Sequence, residues 1–330
     1  MMLSKTAKLS IKVFKKDIEQ IPTRNGYGEG LVVAGEKDKR VVVLCADLVE
    51  STRSIYFKEK FPERFVEIGV AEQLLATVAA GMANYGKIPF ISSYSAFSPG
   101  RNWEQIRTTI ALNDLPVKIG GAHSGISVVP DGATHQQLED MAIMRAMPNM
   151  TVIAPCDSIE TKKAIIAAAK TNHPVYIRFT REKTPVFTTD KTPFEIGKAE
   201  IFWESKNPKV SIIGCGSLVY EALLAANQLD KQGIGSIVVN CPTLKPLDRK
   251  TIVNVAKKTK AVVTIEEHQI TGGLGGAVSE LLSQEYPVSM RFVGVKDRFG
   301  ESGKPEELLK KFGCTHREVI KAVKDVLRKK

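Results

Sequence analysis

Short apolar runs alternate with longer amphipathic segments along most of this 330-residue chain. In the first half the runs fall at residues 40–44, 65–68, 89–92, 117–121, 151–154 and 175–179. They are too short for helices and mostly apolar, which predicts strands buried on both faces of a parallel sheet. Stretches with helical spacing lie between or beside them, at 72–85, 103–112, 136–147 and 158–170. A stretch with two prolines and several threonines, 180–193, reads as a linker. The alternation then resumes, with strands expected at 209–214, 235–240, 261–266 and 290–293 and helices at 217–232, 251–257, 273–282 and near the end. The predicted fold class is α/β, two domains with mainly parallel sheets flanked by helices, at 21–188 and 189–330 after an N-terminal arm of residues 1–20.

A hydrophobic content of 43% is enough for two sizeable cores. No apolar run approaches the ~20 residues that cross a bilayer, so no membrane partner is expected. Residues 1–16 are basic but have no continuous apolar core and no small-residue cleavage site, so they read as an arm, not a secretory signal. The five cysteines are odd in number and form no C-x-x-C pair. That pattern predicts reduced, buried thiols in a cytoplasmic protein more readily than disulfides or zinc. The formal charge of +11 draws much of its surplus from the arm and from Lys310, Lys311, Lys321, Lys324, Arg328, Lys329 and Lys330. Basic residues are not interleaved with aromatics, so a solvated surface able to steer phosphorylated metabolites is expected, and no nucleic-acid partner.

Candidate chemistry concentrates in loops. Asp131-Gly-Ala-Thr-His135 follows His123 by eight positions, and these two imidazoles are among only five in the chain. Open α/β sheets bind ligands in such loops, at the carboxyl ends of strands. Gly69-Val-Ala-Glu72-Gln73 opens a long helix, where a glutamate often only complements the helix dipole. Its neighbours Val70, Leu74, Leu75, Val78 and Met82 instead predict an apolar setting that raises the carboxyl pKa and lets it share a proton with a ligand nitrogen. Tyr94 and Phe97 are either core aromatics or a wall on which a heteroaromatic ring stacks. Arg24, just before the first helix, and Arg181, just after the strand at 175–179, sit at element ends, either solvated or holding a phosphate through a guanidinium fork. Gly214-Cys-Gly216 and Gly272-Gly-Leu-Gly-Gly276 do not match G-x-G-x-x-G with a downstream acid, so they predict tight turns and no dinucleotide site.

Taken in order, Ala46-Asp47-Leu48…Ser51, Gly69-Val-Ala-Glu72-Gln73, Ile88-Pro-Phe-Ile-Ser-Ser-Tyr-Ser-Ala-Phe97, Gly121-Ala-His123-Ser-Gly125, Asp131-Gly-Ala-Thr-His135, Pro155-Cys-Asp157 and Ile177-Arg-Phe-Thr-Arg181 resemble transketolase. They cover its pyrimidine-binding domain, and residues 198–330 resemble its C-terminal domain. The Gly-Asp-Gly motif with which that family holds the diphosphate of thiamine diphosphate does not occur here. The resemblance therefore implies the C-terminal subunit of a split transketolase, moving a two-carbon ketol unit between sugar phosphates of the pentose phosphate pathway. It implies an N-terminal subunit as partner, with Mg2+ or Ca2+ held mainly there, and a homodimer within an α2β2 heterotetramer.

The resemblance also implies roles for single residues. Glu72 would hydrogen-bond the aminopyrimidine and drive it to the imino tautomer. Phe97, with Tyr94 beside it, would form the wall against that ring, and Asp47 would lie by the cofactor. His123 and His135 would face the substrate carbonyl and hydroxyls, with pKa values suited to proton shuttling. Asp131 would read a sugar hydroxyl, while Arg24, Ser51 and Arg181 would clamp the phosphate. Residues 98–103 are one longer than the family spacing, and no cofactor role is carried over to Arg101. Deoxyxylulose-phosphate synthase shares Glu72, Phe97, Asp131 and His135 but has arginine at the position of His123. The beta subunit of a 2-oxoacid dehydrogenase shares the pyrimidine-domain plan but needs no sugar-phosphate clamp. A basic binding protein on an inert copy of the fold is the competing reading from another class.

Overall fold

The computed structural model describes residues 3–128 and 131–329. In chain order the strands of the first half are β1 (Gln20–Pro22), β2 (Val41–Cys45), β3 (Phe65–Glu67), β4 (Ile88–Tyr94), β5 (Lys118–Ala122), β6 (Thr151–Ile153), β7 (Val175–Arg178) and β8 (Lys183–Pro185). Those of the second half are β9 (Glu200–Glu204), β10 (Pro208–Gly214), β11 (Gly235–Asn240), β12 (Thr243–Lys245), β13 (Ala261–Gln269) and β14 (Ser289–Val295). Two α/β domains result, as the alternation predicts.

The sheet of the first domain runs β12-β6-β7-β5-β4-β2-β3. Its pairings are parallel except at the β12 edge. Every residue of β2 is buried, and successive side chains enter different cores. Val41 and Val43 meet the helices Thr23–Lys37 and Ser158–Ala168, while Val42 and Leu44 meet the helix Glu72–Asn84. That is the period-two consequence of a strand covered on both faces. The first pair of helices approaches closely because Gly26 carries no Cβ: one there would come within 1.9 Å of the Ser158 carbonyl oxygen.

Four expectations need correction. Strand β12 lies in the second half of the sequence yet pairs with β6 of the first, Thr243 opposite Ile153. The expected linker contains β8, which pairs antiparallel with β1. Beyond it, Asp157 fastens the chain by accepting from Thr188 Oγ1 and the amides of Phe187 and Thr188. The helix expected at 136–147 covers only Asp140–Arg145, because Gln137 is held extended by a bridge to Ser124. The 103–112 helix is a short turn, Trp103–Gln105, followed by a π-helical segment, Ile106–Ala111.

The second sheet runs β14-β13-β10-β11-β9, parallel except for β9. The N-terminal arm docks on this domain: Ala7, Val13 and Ile18 are buried, and Phe14 meets Trp203 edge-on. All five cysteines are free and buried. Among the described residues no helix is long and apolar enough to cross a membrane.

Candidate active site

The singled-out residues converge because nearly all follow the carboxyl ends of neighbouring strands. Asp47 and Ser51 follow β2, Glu72 follows β3, Phe97 follows Tyr94 at the end of β4, His123 follows β5 and Arg181 follows β7. These strands are adjacent in the order β7-β5-β4-β2-β3. Arg24 arrives differently, in the first turn of its helix and not ahead of it. The Thr180 amide donates to Thr23 Oγ1 and the Arg24 amide to the Thr180 carbonyl, so the start of that helix is tied to the end of β7.

Four rings form one wall. Tyr94 stacks against His123 with 4.0 Å between ring centres, and Phe97 meets His135 edge-on at 5.2 Å. Tyr94 also lies 6.1 Å from Phe97 and 5.9 Å from His135. Asp131 reaches the group through Arg181, whose Nη1 stands 3.7 Å from its carboxylate.

Glu72 is buried at the first position of the helix Glu72–Asn84. Ser93 Oγ donates to its Oε1 at 3.4 Å, and Asn102 Nδ2 donates to its backbone carbonyl. Oε2 has no hydrogen-bond partner and stands 3.8 Å from Arg101 Nη1. The apolar setting differs from the expected one: Val70 and Leu74 are 71% and 52% exposed, and Leu75 alone of the five named neighbours is fully buried. Arg101, given no role by its sequence, also places its guanidinium 5.3 Å from the centre of the Phe97 ring. Glu67 is a second contributor missed in sequence, accepting from the amides of Asp47 and Gly69. Only the fold brings its carboxylate to them.

Electrostatics sets the two sides of the site apart. Burial, then the nearby Arg53 and Arg181, lower the Arg24 pKa. Arg24 Nη1 donates to the Ser51 carbonyl, while its Nε is buried without a partner. Gathered guanidiniums make a site for an anion. The same field acts on His123, which is 1% exposed and has an unpartnered Nδ1. Burial first, then Arg24 and Arg181, push its pKa down to about 3. The expectation that His123 titrates near working pH is thereby corrected: it is a neutral imidazole. His135 differs, half-buried, with Nδ1 bonded to Thr134 Oγ1.

Buried polar atoms without partners are uncommon in folded proteins. Here Arg24 Nε, Glu72 Oε2, Ser95 Oγ and His123 Nδ1 share one site. They fit a polar ligand: a carboxylate oxygen beside an aromatic wall suits a heteroaromatic nitrogen, and the arginines suit an anion. Among the described residues no group of three or more His, Cys, Asp or Glu side chains could hold a metal. The glycine clusters of the second domain are tight turns, as expected, and the amides of Leu274 and Gly275 are bonded to Glu266.

Comparison with known proteins agrees with this geometry. Residues 19–186 match the model of the transketolase pyrimidine binding domain, and 197–319 that of the transketolase C-terminal domain. A putative transketolase C-terminal section from Methanocaldococcus jannaschii is 45% identical, over 93% of this chain and 96% of that protein. The 6-deoxy-6-sulfo-D-fructose transketolase subunit SqwH of a Clostridium species is 39% identical, over 96% of this chain and 98% of its own length. A solved split gene transketolase, described as an inactive beta4 tetramer, is 44% identical with a TM-score of 0.87, covering 93% of this chain and 99% of that one. The chain spans about half the length of the human and rat transketolases it also matches. It belongs to the transketolase family, as a C-terminal subunit carrying the pyrimidine-binding and C-terminal domains. Thiamine diphosphate is the cofactor that such a pyrimidine-binding domain implies.

Proposed function

We propose that this chain is the catalytic C-terminal subunit of a two-chain transketolase that moves a two-carbon ketol unit between ketose and aldose phosphates, in the pentose phosphate pathway and in the cytoplasm. The observation that carries the reading is Glu72 Oε2, buried without a hydrogen-bond partner near the Phe97 wall at the carboxyl edge of the sheet. Thiamine diphosphate, when bound, would supply a nucleophilic carbon suited to a ketose carbonyl. Glu72 shares a proton with the pyrimidine nitrogen, Phe97 and Tyr94 pack against the ring, and Asp47 borders it. His123, neutral, offers hydrogen bonds to the substrate carbonyl and hydroxyls. His135 leaves its Nε2 for a substrate hydroxyl, since Thr134 holds Nδ1. Asp131 reads a hydroxyl, and Arg24, Arg181 and the Ser51 segment hold the terminal anion.

The working units are the arm 1–20, the pyrimidine domain 21–188 and the C-terminal domain 189–330. The diphosphate and a divalent metal, Mg2+ or Ca2+, belong to an N-terminal partner, with two copies of each chain in the active enzyme. Exposed Val70 and Leu74, flanking Glu72, support a site whose mouth another chain covers. A sulfonated ketose is the second reading of the donor, favoured by similarity to the sulfofructose transketolase subunit. The same guanidiniums would hold a sulfonate.

The test is ketol transfer from xylulose 5-phosphate to ribose 5-phosphate by this chain with its N-terminal partner. Transfer supports the reading. Carbon dioxide release from pyruvate would replace it with a synthase or oxoacid dehydrogenase activity, and no turnover with any partner would favour a binding protein.

A further inference from the structure

We infer that Glu267 of the C-terminal domain is a positioning residue for the loop that carries His123, an inference that rests on the substrate-facing role proposed above for that histidine. The second sheet explains why a carboxylate stands there. From β10 the chain passes to β11 on one side and later to β13 on the other, in the order β13-β10-β11. A parallel sheet opens a crevice outside the carboxyl ends of strands at such a reversal, where α/β folds take ligands. Here the register pairs Gly214, the last residue of β10, with Ile265, and Glu266, Glu267 and His268 follow directly.

Residues of the first domain fill this crevice. The Ser127 amide donates to Glu267 Oε1 at 2.7 Å, and Ser217 Oγ donates to Oε2 at 3.3 Å. Gly125, at φ +98°, passes so close that a Cβ there would lie 2.3 Å from Glu267 Oε1. The Glu267 carboxylate is 4% exposed, and its backbone carbonyl accepts from Arg178 Nη1, while the rest of that guanidinium binds Asp140. The helix amides that could have received a ligand anion are bonded to Glu266 instead.

The C-terminal domain grips the same loop at its far end. Gln136 Nε2 donates to the carbonyls of Ile126 and Glu301, and a Cβ on Gly132 would meet Ser302 Oγ at 2.6 Å. His123 itself has φ +58°, a left-handed backbone that a non-glycine residue keeps only where its surroundings enforce it. Glu267 touches neither the cofactor pocket nor the substrate groups. It acts through Ser127 and Gly125 on the orientation of His123.

The experiment uses the reconstituted two-chain enzyme and three readouts: KM for both sugar phosphates, thiamine diphosphate affinity, and hydrogen exchange of the amides of residues 123–128. Displacing a reactive group by about 1 Å costs about 10²-fold, so Glu267→Ala is expected to raise both KM values by at least about tenfold and to speed exchange across the loop. Cofactor affinity should stay within about twofold, because the pyrimidine wall is untouched. Glu267→Gln keeps an acceptor for the Ser127 amide and should restore most of the loss. Should Glu267→Ala fail to fold, Gly125→Ala decides, since its Cβ would push the loop off the same carboxylate. Unchanged KM and unchanged exchange in a folded Glu267→Ala or Gly125→Ala enzyme would overturn the inference, as would a glutamine variant as damaged as the alanine. His123→Ala is run in parallel. If it impairs transfer while Glu267→Ala does not, the positioning role fails alone; if His123→Ala changes nothing, the substrate role of the loop fails instead.

Discussion

The His123 imidazole and the Tyr94 ring lie 4.0 Å apart, centre to centre, inclined by 35°. Burial, then the guanidiniums of Arg24 and Arg181, keep that histidine uncharged, its pKa pushed down to about 3. His268, buried in the C-terminal domain, is lowered to about 4. An unfolded histidine takes up its proton near pH 6.5. Between that value and the folded ones the unfolded chain binds more protons, so stability is full above about pH 6.5 and declines as pH falls. Each histidine contributes at most about 1.4 kcal/mol per pH unit to the slope. Denaturant unfolding at pH 7 and 5.5 should show this loss, and His123→Asn should flatten it. Equal slopes for variant and wild type would mean that His123 is charged in the folded protein.

Arg181→Ala should raise the KM for phosphorylated sugars far more than for unphosphorylated ones. Losing one charge-assisted contact to a phosphate costs roughly 1.5–3 kcal/mol. Asp131, 3.7 Å from the guanidinium, would then lose a cation as well. Equal losses for both substrate classes would assign Arg181 to structure.

The sequence carried the position of the site but not its electrostatics. Runs such as Val41–Cys45 are apolar throughout, so their burial on both faces and the ligand-bearing loops after them were legible. The neutral state of His123 was not, because it follows first from burial and then from Arg24, Arg181 and Arg53, which come from three separated segments. Val70 and Leu74 looked like cover for Glu72, yet an apolar residue in sequence can equally face solvent or another chain. Strand β12 is not legible in the sequence because its pairing with β6 joins Thr243 to Ile153, far away along the chain. The helix Asp140–Arg145 is shorter than its sequence pattern, because Gln136 and Gln137 have helical spacing but bond to the 124–128 segment instead.

Assembly gives a further expectation. The chain offers a wall and a carboxylate for the pyrimidine ring but no Gly-Asp-Gly motif for a metal-bound diphosphate. Calorimetry of the isolated chain with thiamine diphosphate and magnesium should show weak binding, and sedimentation should show self-association without ketol transfer. Adding the N-terminal subunit should produce both tight binding and activity in a particle with two copies of each chain. Micromolar cofactor binding, or transfer, by the chain alone would contradict this.

Glu72→Gln tests the central claim most directly, measured as ketol transfer by the reconstituted enzyme at saturating cofactor. Glutamine keeps the shape of the side chain but cannot share a proton with a ring nitrogen, and removing such acid–base assistance costs about 10²–10⁴-fold in rate. The expected result is a loss of that size with an unchanged melting temperature. Near-wild-type turnover would show that the buried carboxylate at the head of the helix Glu72–Asn84 does not activate the cofactor.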